Sequence, residues 1–123
     1  MRSARGFTLI ELLVVMAIIG GLLAIAAPRY LHRVDLAKET VLKSDLATMR
    51  DALDKFFADT GRYPDSLDEL VAQRYLRAVP DDPLTGSAES WVIVAPPTGA
   101  RGVYDVKSGA QGVTSEGRPY AAL

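Results

Sequence analysis

Residues 7–27 hold one ionisable side chain, Glu11, in a run of 21 positions otherwise filled by apolar residues, Gly and a single Thr. Apolar on every face, such a run predicts a helix about 31 Å long, close to the ~30 Å thickness of a bilayer core. Residues 29–59 contain neither Gly nor Pro, and their pattern changes. Leu42, Leu46, Met49, Leu53 and Phe56/Phe57 recur at alternating steps of four and three, which places them on one stripe of a helix. Lys43, Asp45, Arg50, Asp51, Asp54 and Lys55 fall mostly elsewhere, and Val34, Ala37 and Val41 form a weaker stripe among charges. Pro28 stands between the two regimes. A proline inside a helix removes one backbone hydrogen bond and kinks the axis without having to end it. The pattern therefore predicts one long helical spine, greasy all round at first and one-faced afterwards, kinked near Pro28.

Gly61-Arg62-Tyr63-Pro64 stops the spine, because Gly suits a left-handed helix terminus and Pro cannot continue the helix. Ser66-Leu67-Asp68-Glu69 has the capping-box pattern and predicts a short helix with Leu67, Leu70, Val71 and Leu76 facing inward. Residues 80–86, PDDPLTG, are a turn-rich connector. Residues 90–94 (SWVIV) and 102–107 (GVYDVK) read as antiparallel strands, with Trp91 and Tyr104 as a cross-strand aromatic pair. The Gly-punctuated tail has only Val113, Tyr120 and Leu123 to pack. Two or three short strands do not stand alone in water, and the stripe on residues 42–57 needs a cover. Packing one on the other satisfies both, which predicts an α+β fold: the spine against a small antiparallel β-sheet head.

Composition narrows the chemistry. In 123 residues there are 14 basic and 15 acidic side chains, one His and no Cys. That leaves no disulfide, no thiolate nucleophile, no Cys-based zinc site and no Ser-His-Asp triad built around His32. Basic residues between 29 and 55 alternate with acids, so there is no clustered track for nucleic acid. Asp81, Asp82 and Asp105 are read as turn and strand-end residues rather than an acid–base pair. The reading is of a structural protein, not an enzyme, with no cofactor required.

Glu11 discriminates among the roles open to the apolar run. A carboxylate within a membrane span costs roughly 2.5–3.5 kcal/mol at its centre and less near the interface. A plain anchor gains nothing from it. In a secretory signal it would interrupt the apolar region, and Pro28 would sit beside the small-x-small pattern at Ala24-Ile25-Ala26. A buried core helix would need more cover than residues 29–123 can offer. Cleavage after Gly6 would give Phe7 a free ammonium group one helical turn from Glu11. Pairing that amine with Glu11 of a neighbouring copy would fix an axial register between stacked helices.

Arg5-Gly6-Phe7-Thr8-Leu9-Ile10-Glu11 resembles the leader motif of type IV prepilins and type II secretion pseudopilins, and Gly61-Arg62-Tyr63-Pro64 and Pro80-Asp81-Asp82-Pro83 resemble the major pseudopilin branch. The resemblance implies a cleaved leader over residues 1–6, a transmembrane and assembly half over 7–28, and a periplasmic α+β head over 29–123. It implies cleavage between Gly6 and Phe7 by a prepilin peptidase, N-methylation of Phe7, and an assembly role for Glu11. Its implied partners are further copies in a homo-oligomeric filament, minor pseudopilins, an inner-membrane assembly platform and an ATPase. The implied location is the inner membrane, single-pass with the N-terminus cytoplasmic, then a periplasmic pseudopilus that drives protein export. A pilus or DNA-uptake pilin is the alternative. Gly20-Gly21 and Pro28 mark where such spines bend or melt on packing. That family holds its terminal loop with calcium through a stretch rich in Asp. Here the stretch offers only Ser108, Gln111 and Glu116, a weak donor set. The expectation is a loop held by Tyr120, Leu123 and backbone bonds without metal.

Overall fold

The computed structural model describes residues 5–123. Helix α1 spans Leu9–Thr60 and α2 Leu67–Ala72; strands β1 (Val92–Val94) and β2 (Asp105–Lys107) follow, and a 3-10 turn closes the chain at Tyr120–Ala122. The α+β expectation holds. Helix α1 is assigned without interruption across Pro28 and is long and apolar enough to cross a membrane. The chain divides into two compact units, the first ending at Asp35 and the second covering Leu36–Leu123.

In the first unit the large apolar side chains are exposed, from 83% at Phe7 down to 46% at Ile19 between residues 7 and 25, without cover among the described residues. In the second unit the four-three stripe is the core. Leu42, Leu46, Met49, Leu53 and Phe56 are at most 1% exposed and pack with Leu70, Val103 and Val106. Phe57 lies off that stripe, half exposed, and stacks on Tyr63 with ring centroids 4.5 Å apart. Gly61, at φ 75°, and the Thr60 hydroxyl, which donates to the Phe56 carbonyl at 2.7 Å, end α1 as the Gly-Pro stop predicts.

The strands are shorter than their apolar runs. They pair antiparallel with Val92 opposite Lys107, Ile93 opposite Val106 and Val94 opposite Asp105. That register separates Trp91 from Tyr104, correcting the expected cross-strand pair. Trp91 is buried and donates its indole N–H to the Pro80 carbonyl at 2.8 Å, whereas Tyr104 packs edge-on against Tyr63. The capping box expected at Ser66 does not form either: the Ser66 side chain makes no cap hydrogen bond. Glu69 is occupied elsewhere, accepting from the Asp65 N–H and pairing with the Arg62 guanidinium. The Arg62 bond, then the Asp65 bond, hold the Glu69 carboxyl below its ordinary range.

Candidate functional site

Residues 5–8 precede α1 without regular structure, and the helix begins at Leu9. Thr8 sits at the N-cap. Its backbone N–H donates to Glu11 Oε2 at 3.1 Å, and the Glu11 N–H donates to Thr8 Oγ1 at 3.2 Å. This is a reciprocal capping box that satisfies two of the orphan donors at the helix start, with a negative charge on the positive end of the helix dipole. The signal is present in the sequence as Thr8-x-x-Glu11, yet reading Glu11 only as a charge in an apolar run overlooks it. Both side chains are exposed, so Glu11 remains accessible to a group from outside the chain. Phe7, one residue before the cap, is also exposed and lies in one open groove with Ile10, Glu11, Val14 and Val15.

Gly6 is not required by the fold around it. A Cβ built there meets nothing within 4 Å, and its backbone is not in the left-handed region that favours glycine. The same open space surrounds Gly20 and Gly21 inside α1, although each glycine costs a helix about 1 kcal/mol relative to Ala. None of the three is explained by packing among the described residues. Residues 1–4 of the leader, including Arg2, lie outside the described residues.

The carboxylates singled out by sequence are held apart by structural bonds. Asp82 is fully buried; its Oδ1 accepts from the Leu84 N–H at 2.9 Å and its Oδ2 from the Ser108 hydroxyl. Asp105 pairs with Arg50 at 2.8 Å, and Asp81 is exposed. Asp45 has its carboxyl raised above the usual range, first by burial and then by the charge of Asp82. The weak calcium candidates Ser108, Gln111 and Glu116 have different surroundings. Ser108 is spent on Asp82 and on the Ala110 N–H, while Gln111 and Glu116 stay exposed. Calcium takes six to eight oxygens, several of them carboxylate, and this donor set does not suit it. Among the described residues no cluster of three His, Cys, Asp or Glu side chains could hold a metal ion.

Comparison with known proteins bears on the leader region and on the whole chain. The prokaryotic N-terminal methylation motif matches residues 1–27. The type II secretion system core protein G of Pseudomonas aeruginosa is 35% identical over 128 residues, covering 90% of this chain and 87% of the relative. Its counterpart in Escherichia coli is 31% identical over 85% of this chain and 79% of the relative. The type IV major pilin protein PilA of Myxococcus xanthus is 42% identical, but over 54% of this chain and 30% of its own length. No solved structure matches. With a methylation-motif start, an apolar spine and likeness over most of its length, the chain belongs to the family of type II secretion system core protein G, the major pseudopilins.

Proposed function

We propose that this chain is the repeating structural subunit of a type II secretion pseudopilus and carries no catalytic site. The observation that carries the reading is the coincidence of a methylation-motif N-terminus with likeness to core protein G along nearly the whole chain. Residues 1–6 are the leader, 7–28 the membrane and assembly half of the spine, and 29–123 the head. A prepilin peptidase cuts after Gly6. The open space around Gly6 supports this, since a glycine unneeded by its own fold suits the close approach of an enzyme to the backbone. The freed amine of Phe7 is then methylated.

The uncovered apolar residues of α1 hold the precursor in the inner membrane, with the head in the periplasm. Assembly exchanges lipid for the spines of neighbouring copies. Because lipid is as apolar as a neighbouring helix, van der Waals fit and the pairing of the Phe7 amine with Glu11 of another copy supply the selectivity. Head-to-tail contacts that do not close into a ring give an open helical filament, driven by an assembly platform and an ATPase and joined by minor pseudopilins. The pilin reading is the weaker one, because the PilA likeness covers 30% of that protein.

The test is intact-mass analysis of the membrane-extracted protein with crosslinking of engineered Cys pairs along α1. Mature protein should begin at Phe7 with one added methyl group and give a ladder of multimers. Gly6→Ala should leave the precursor uncut and abolish the ladder. A mature chain in that variant, or a wild-type protein that crosslinks to nothing, refutes the reading.

A further inference from the structure

We infer that the terminal segment of this head is fastened by the chain's own carboxylates and one guanidinium, with Glu39 at the centre, and does not depend on calcium. Three anchors outside residues 108–123 reach into that segment. Asp82 takes the Ser108 hydroxyl at one end. Arg50 donates to the Leu123 carbonyl at 2.7 Å at the other end, and to the β2 carbonyl of Val106 at 2.9 Å. Between them Glu39, a helix α1 residue only 6% exposed, receives Ser115 through both oxygens. The Ser115 N–H donates to Oε1, and its hydroxyl donates to Oε2 at 3.0 Å.

Ser115 is held ready for this by Thr114. The Thr114 N–H donates to the Arg118 carbonyl at 2.7 Å, and the Thr114 carbonyl accepts from the Gly117 N–H at 2.9 Å. Its hydroxyl oxygen lies 3.3 Å from the Glu116 N–H and 3.2 Å from the Arg118 N–H. Residues 114–118 are thus closed into a tight turn that presents two donors of Ser115 to one buried carboxylate. A divalent cation organises a loop by drawing oxygens around a positive charge. Here the polarity is reversed: the negative charge comes from α1, and the loop supplies N–H and O–H. Hydrogen bonds to an ionised carboxylate are among the stronger ones in proteins, and burial raises the cost of losing them. Gln111 and Glu116, which carry the segment's one side-chain amide and its one side-chain carboxylate, are exposed.

Hydrogen exchange read by mass spectrometry on the full chain in detergent micelles tests this. Exchange in peptides covering residues 108–123 should be the same in EDTA and in millimolar calcium chloride. Glu39→Gln keeps the shape but loses the charge and one acceptor, and should speed exchange there roughly tenfold or more while residues 42–53 stay protected. Ser115→Ala removes one donor on the surface side and should give a smaller rise in the same peptides. Calcium-dependent protection of the wild-type segment overturns the inference, as does a Glu39→Gln chain whose segment exchanges like wild type. Neither outcome touches the processing of Gly6, so the pseudopilin reading stands or falls separately.

Discussion

Replacing Glu11 by Gln separates two jobs that one carboxylate can perform. Within its own chain Glu11 closes a capping box with Thr8 through bonds of 3.1 and 3.2 Å. Such a cap contributes about 1 kcal/mol, and Gln still accepts from the Thr8 N–H, so only the dipole part, about 0.3–1 kcal/mol, is lost. Between chains, in the filament proposed above, the same carboxylate is matched with the Phe7 ammonium group of another copy, away from water. Removing one partner of a buried ion pair costs roughly 3–5 kcal/mol, which is two to four orders of magnitude in an association constant. Glu11→Gln should therefore insert, be cut and keep its helix start, yet assemble at least a hundredfold less well. Thr8→Ala, which breaks the cap and spares the charge, should lose far less. The assay is the yield of crosslinked multimers from single-Cys pairs on α1, normalised to mature protein by intact mass. If Glu11→Gln gives the wild-type ladder while Thr8→Ala does not, Glu11 acts as a cap and the amine pairing is wrong.

Two more outcomes concern the head. A Cβ at Gly109 would overlap the Ser90 carbonyl oxygen, a backbone atom with little room to move, so Gly109→Ala should lower stability by about 1–3 kcal/mol or more in a thermal melt; an unchanged melt would refute that close approach. Asp45 has its carboxyl raised by burial and by Asp82, so its stabilising contribution is present below the usual aspartate range and lost as pH rises through the raised value. Asp45→Asn should then melt higher than wild type at about pH 7 and coincide with it at about pH 3; a gain of the same size at both would place its cause outside titration.

Local pattern reveals the parts of this molecule that depend on neighbours in sequence. The stripe from Leu42 to Phe56 is buried as its spacing requires, and the Gly61–Pro64 stop ends α1. What holds the head closed is not local. Arg50 with Asp105 spans 55 residues and Glu39 with Ser115 spans 76, and no periodicity connects them. The two capping boxes teach the same point from opposite sides. Thr8 and Glu11 form theirs because little competes for Glu11 at the start of an exposed helix. Ser66 and Glu69 share the pattern, but Arg62 and the Asp65 N–H claim the carboxylate first. Likewise the Trp91–Tyr104 pairing fails on register, a property of how β1 meets β2 rather than of either strand.

The bare first stretch of α1 also restricts how a subunit can travel. Each Leu, Ile or Val side chain set in water forfeits about 1.5–3 kcal/mol, and a dozen of them together exceed the 5–15 kcal/mol that keeps an ordinary domain folded. A free-swimming copy waiting its turn is thus too costly to accumulate. In the proposed pseudopilus, every increment of helix drawn out of lipid then has to be received at once by another oily surface, which makes growth a relay at the membrane face, one copy after the next.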